Sequence, residues 1–151
     1  AYASWDDIVA LTSPLQGLAN VLLTPHVGGS TEEAQEAIAE DVCDKLIKFV
    51  NVGSTGGAVN VPEVELPEQI IRDGTRTVRP HRILHFHKNV PGVLSKMHSL
   101  IAQMNANISA EYLRTSDDVG YVVLDVDPSD AEAIRRKLAD IPETIRVRVL
   151  W

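Results

Sequence analysis

Two short stretches hold the side chains that can do chemistry. In the first, His26 follows the apolar run Val21-Leu22-Leu23 and precedes Gly28-Gly29. A histidine just past a buried-type strand sits where open α/β sheets place their ligand sites. Its imidazole titrates near neutral pH and can take up and return a proton. By spacing alone, the same residue reads as a histidine that caps the following helix. In the second stretch, His85-Phe86-His87-Lys88-Asn89 runs into Pro91-Gly92. A polar strand end entering a helix N-terminus makes a concave site with free amide groups and a positive dipole end, which suits a carboxylate. No nucleophile or general base stands beside it, so the chemistry is binding. His81, His85 and His87 raise the question of zinc, but no cysteine lies nearby and no carboxylate stands at ligand spacing, so no metal is expected. Arg72, Arg76, Arg79 and Arg82 could hold an anion, although a charge-rich linker is more simply solvated.

The elements that position these residues follow from periodicity. Leu84 and Phe86 face one side of a strand, and Ile83, His85 and His87 face the other. Pro91 then opens a helix with an apolar stripe of Val93, Leu94, Met97, Leu100, Ile101 and Met104. Asn107 to Arg114 alternates as a second strand, with a turn at Asp117-Asp118, and Gly120 to Val126 is a third. Asp127-Pro128 caps a helix whose stripe is Ala131, Ile134, Leu138 and Ile141, and Pro142 ends it. Ile145, Val147 and Val149 alternate in a last strand. The order βαββαβ is the ferredoxin-like arrangement, an antiparallel sheet with both helices on one face and the other face bare unless something covers it.

Upstream, Val21-Leu22-Leu23 has the look of a strand buried in a parallel sheet. Ser30 and Glu33 form a capping box for a helix carrying Ala34, Ile38, Val42, Leu46 and Val50, which Gly53 ends. This is a strand–helix segment of α/β type. Trp5 to Leu11 has the spacing of a short amphipathic helix. Pro62 and Pro67 keep Ala58 to Pro67 extended. The expected division is 1–68, a linker at 69–81, and the βαββαβ module at 82–151.

The net charge of −7 argues against a nucleic-acid surface. No apolar run is long enough for a membrane span, and Cys43 is alone, so neither a disulfide nor a cysteine-based zinc site is available. A cytoplasmic protein is expected.

Asn89-Val90-Pro91-Gly92-Val93-Leu94, placed after the first strand of such a module, resembles the ACT family of amino-acid-sensing domains. Asn20 to Glu36, Gly53-Ser54-Thr55 and Ala58 to Val64 resemble the end of the nucleotide-binding domain of D-2-hydroxyacid dehydrogenases and the segment returning to their substrate domain. The two halves in this order are similar to the serine-inhibited bacterial members of that family. The resemblance implies that His26 is the acid/base of an NAD-dependent reaction, with His26, Val27, Gly28 and Gly29 beside the cofactor. It implies that His87, Asn89 and Asn107 bind L-serine as effector, with Asn107 supplied by a second copy in a homo-oligomer paired through these modules. The family's G-x-G-x-x-G fingerprint, substrate-binding arginine and catalytic glutamate have no match here. The chain is therefore expected to be the C-terminal part of a longer enzyme, inactive alone. Two other readings stand beside this one: a stand-alone amino-acid-sensing module, and the tail of another 2-hydroxyacid dehydrogenase with a different effector.

Overall fold

The computed structural model describes residues 13–24, 27–73, 76–127 and 130–151. The expected helix at Trp5 to Leu11 lies outside the described residues. The chain divides into two compact units, Ala1–Val42 and Cys43–Trp151.

Before the first helix the backbone is turns and irregular chain, and Val21-Leu22-Leu23 is not a strand. Leu22 is 89% exposed. A strand needs a neighbour to accept its backbone hydrogen bonds, and none lies beside it among the described residues. Helix α1, Glu32–Val52, forms as its periodicity predicts. Its cap is Thr31 rather than Ser30: Thr31 Oγ1 accepts from the Ala34 N–H at 3.2 Å. The capping pair is thus shifted by one residue, which makes Glu33 a first-turn acid whose charge suits the helix dipole. Ile38, Val42, Leu46, Ile47 and Val50 remain exposed. Gly53 ends the helix at φ +77, donating its N–H to the Phe49 carbonyl at 3.1 Å. A side chain there would collide with Leu84, whose Cδ2 lies 2.2 Å from the position of a Cβ.

The stretch read as a linker contains a two-stranded antiparallel hairpin, β1 (Ile71–Asp73) with β2 (Arg76–Val78). The βαββαβ module then follows as β3 (His81–Lys88), α2 (Val93–Gln103), β4 (Ile108–Thr115), β5 (Val119–Val126), α3 (Ala131–Ala139) and β6 (Thr144–Leu150). Its sheet order is β4-β5-β3-β6 with every pair antiparallel. The α3 cap is Asp130, which accepts from the Ala133 N–H at 2.9 Å. Asp127 lies too far upstream to serve that helix.

The register sorts the two faces of β3. Ile83 packs with Val122, Leu124, Met97, Ile101, Ile134 and Leu138 beneath the two helices. Leu84 packs on the other face with Val64, Tyr121 and Val123. Segment 53–67 lies on that second face as a strap that turns at 56–57, bends at 59–61 and packs through Val64 and Leu66. Thr55 closes the strap on itself, accepting from the Val64 N–H at 2.8 Å and donating to the Pro62 carbonyl at 2.7 Å. Tyr121 donates its hydroxyl to the Gly53 carbonyl at 2.6 Å.

Arg82 is not a solvated linker residue. It is 1% exposed and pairs bidentately with Asp125, Nε to Oδ1 and Nη2 to Oδ2, both at 2.7 Å. Its remaining donors reach the Val52, Leu66 and Pro67 carbonyls at 3.2, 2.8 and 2.9 Å. The anion it holds is a carboxylate of its own chain. Arg79 is paired as well, with Glu68 at 2.9 Å.

Candidate functional site

At the end of β3 the backbone turns through Pro91-Gly92 before α2. Gly92 has φ 93 and ψ −10, so Pro91 and Gly92 fill the two central positions of a type II turn. A helix cannot run through that left-handed residue. Pro91 therefore sets the turn rather than opening the helix, which starts at Val93 with Gly92 as its cap and no side-chain cap bond. The first-turn amides of α2 take no side-chain cap.

Asn89 sits in this turn but caps no helix. Its Nδ2 donates to the carbonyls of Ser116 and Asp117 at 3.0 and 3.3 Å, and its own N–H donates to the Asp118 carbonyl at 2.9 Å. It clamps the β4–β5 turn against β3. With both amide protons committed, Oδ1 takes no hydrogen bond among the described residues.

His85 and His87 are both buried on the helix-covered face. Their rings stack with centroids 5.3 Å apart, and the two Nδ1 atoms approach to 3.3 Å. Burial drives the His85 pKa down to about 4, and the neighbouring His87 acts in the same direction. Burial lowers His87 too, partly opposed by a hydrogen bond to the His85 backbone. The pair is neutral at physiological pH. Gly120, opposite His87 in the register, makes the room: a Cβ there would stand 2.3 Å from His87 Nε2.

Thr144 is a site residue that periodicity missed. The β3–β6 register slips between Phe86 and His87, so that His87 faces Thr144 and Ile145 is skipped. Ile145 is pushed outward, 54% exposed, and Thr144 turns in toward His85. Only the bulge produces this, and no local sequence signal announces it.

Asn107 lies at the opposite end of the sheet. It precedes Ile108, whose strand partner is Val126, whereas Thr115 at the other end of β4 pairs with Gly120 beside His87. At 3.3 Å per residue the two ends of β4 are roughly 25 Å apart. Within one chain His87 and Asn89 therefore come together and Asn107 does not join them.

The first site is only partly in view. His26 lies outside the described residues. Val27, Gly28 and Gly29 form an exposed turn, with the Ser30 N–H on the Val27 carbonyl at 3.0 Å and Gln35 Nε2 on the Gly29 carbonyl. A Cβ on Gly28 would meet nothing within 4 Å, and one on Gly29 only Ile38 at 3.8 Å. Nothing in the described chain itself demands glycine at either place. Among the described residues no three histidine, cysteine or carboxylate side chains converge to hold a metal. No helix among them is long and apolar enough to cross a membrane.

Residues 83–146 match the family model of the AHAS small subunit-like ACT domain. Over 92% of its length the chain is 48% identical to D-3-phosphoglycerate dehydrogenase of Haemophilus influenzae, covering 32% of that protein. Over 97% it is 38% identical to D-3-phosphoglycerate dehydrogenase 1 of Saccharomyces cerevisiae, covering 30%. Among solved structures, the ACT domain from GTP pyrophosphokinase of Chlorobium tepidum matches 46% of this chain and 95% of its own, with TM-score 0.42 and 16% identity. The chain spans about a third of the length of the curated relatives it matches.

Proposed function

We infer, for a chain that carries an ACT domain and matches D-3-phosphoglycerate dehydrogenases over nine-tenths of its own length, that it is the C-terminal regulatory part of such an enzyme. The complete enzyme would oxidise 3-phosphoglycerate to 3-phosphohydroxypyruvate, passing hydride to NAD, at the start of L-serine synthesis. L-serine would return as feedback inhibitor to the ACT domain.

One observation carries the effector reading. His87, Asn89 and the uncapped start of α2 gather at one end of the sheet, while Asn107 stands at the other end, on edge strand β4. Two copies pairing antiparallel along β4, with the two-fold axis between Glu111 and Tyr112, set Asn107 of one copy across from Ser116 of the other. Ser116 is the residue whose carbonyl Asn89 holds. Such a seam removes an exposed strand edge and completes the site from two chains. The α2 amides suit the carboxylate of serine, and Asn89 Oδ1 can accept from its ammonium or hydroxyl. A ligand shared by two chains binds the paired state better and so favours pairing.

Calorimetry on this chain tests the site. Asn89→Ala is expected to weaken L-serine binding by about 1–3 kcal/mol; binding as tight as the parent's would remove Asn89 from it.

His26 would be the proton acceptor for the substrate hydroxyl. The chain contains no G-x-G-x-x-G spacing, so the residues present do not by themselves make a dinucleotide site, and the rest of the enzyme would hold NAD. In the complete enzyme His26→Ala should lower turnover far more than cofactor affinity. Turnover within a few-fold of the parent would rule the assignment out.

A further inference from the structure

We propose that Thr144 is a positioning residue for the effector site: through His85 it fixes the tautomer of His87, so that His87 presents a bare Nε2 and takes only a ligand group that donates a proton. This rests on the reading of His87 as an effector contact and adds a residue from the far end of the chain.

The argument follows protons along one line of contacts. Thr144 Oγ1 lies 2.7 Å from the Leu138 carbonyl and 2.7 Å from His85 Nε2. A carbonyl cannot donate, so the single hydroxyl proton of Thr144 points to Leu138. Toward His85 the hydroxyl can then only accept, and His85 Nε2 must carry the ring proton. A neutral His85 has one ring proton, which leaves its Nδ1 bare. His87 Nδ1 lies 3.3 Å from that atom, so it is the donor of the pair and carries the proton of its own neutral ring. Nε2 of His87 is left as a lone pair. The direction of every bond is set by the Leu138 carbonyl in the last turn of α3, two side chains away from the effector contact. The β3–β6 bulge that turns Thr144 inward is therefore part of the site.

A bare imidazole nitrogen discriminates by hydrogen-bond role. A ligand hydroxyl or ammonium satisfies it, whereas an acceptor at the same place leaves two lone pairs facing each other. On the opposite tautomer the preference reverses. A residue that fixes the tautomer thereby helps fix the class of ligand without touching it.

Two-bond nitrogen–proton correlations of the histidine rings in the 15N-labelled, ligand-free chain near pH 7.5 read the tautomers directly. The expected result is His85 protonated at Nε2 and His87 at Nδ1. Thr144→Val should abolish the fixed pattern and weaken L-serine binding by about tenfold, the scale of one hydrogen bond. Thr144→Ser should restore both. His87 protonated at Nε2 in the parent overturns the relay, as does a folded Thr144→Val chain that keeps the parent's ring pattern and serine affinity. The ring measurement needs no ligand. A parent with the expected tautomers and no heat of serine binding would sink the effector reading alone, whereas serine binding with the wrong tautomers would sink the relay alone.

Discussion

One face of the four-stranded sheet is closed by two helices, and the other carries the non-helical strap 53–67. Under the helices the contacts are almost wholly apolar: Ile83, Met97, Ile101, Val122, Leu124, Ile134 and Leu138. Under the strap an apolar centre of Val64, Leu84, Tyr121 and Val123 is ringed by buried hydrogen bonds from Arg82, Thr55 and Tyr121. The difference follows from the backbone. A helix satisfies its own N–H and C=O groups and can cover a sheet with side-chain contact alone. The strap has no continuous ladder of its own, so several of its carbonyls are taken by side chains, from the sheet and from its own Thr55. Arg82, Thr55 and Tyr121 take those of Gly53, Pro62, Leu66 and Pro67.

The comparison is broken most severely at Asp125. Asp125→Ala leaves the Arg82 guanidinium buried without its counter-charge, and should cost about 3–5 kcal/mol in urea unfolding. A loss below about 1 kcal/mol for Asp125→Ala would mean that the strap is held by its apolar centre alone.

The helix-covered face has its own polar element, and pH separates it from the strap. His85 titrates at about 4 when folded against 6.5 when free. Its folded pKa is depressed, so the unfolded chain binds the proton first. Stability is full above about pH 6.5 and is lost as pH falls toward 4, by about 3 kcal/mol from this group. His85→Gln should flatten that slope in thermal melts between pH 7 and 4.5. An unchanged slope would place the acid sensitivity elsewhere.

The smallest change sharpens the contrast. Tyr121→Phe removes one buried hydroxyl and leaves the Gly53 carbonyl unpaired, at about 1–2 kcal/mol. Its effect should be confined to amides of the strap, read by hydrogen exchange at Thr55 and Val64, with those of α2 and α3 unchanged. Equal loss of protection on both faces would show that the strap and the helices open as one unit.

Periodicity was enough to place the sheet and helices. The alternation Ile83/His85/His87 against Leu84/Phe86 sorts into the two observed faces, and the α2 and α3 stripes, Ala131 apart, pack into the observed core. The caps differ by one to three residues, because Ser, Thr and Asp all suit a cap position and Ser30 stands beside Thr31 and Asp127 near Asp130. What could not be read locally was pairing at long range. Arg82 stands in a run of arginines, and its partner lies 43 residues away. Thr144 and Gly120 become site residues only through a strand register and a bulge. Val21-Leu22-Leu23 reads as a strand by composition, yet composition supplies no neighbour for it.

The strap also sets an order of events during synthesis. Its anchor Gly53 is bonded by Tyr121, 68 residues later, and its staple Arg82 is completed only by Asp125. At roughly 5–20 residues per second, the ribosome delivers Tyr121 several seconds after Gly53. Through that interval the strap has nothing to lie on. Pro62 and Pro67 bias it away from pairing with other nascent strands, and Glu63, Glu65 and Glu68 keep it hydrated. The composition that makes the segment look like a featureless connection is what lets it wait unpaired until the sheet beneath it exists.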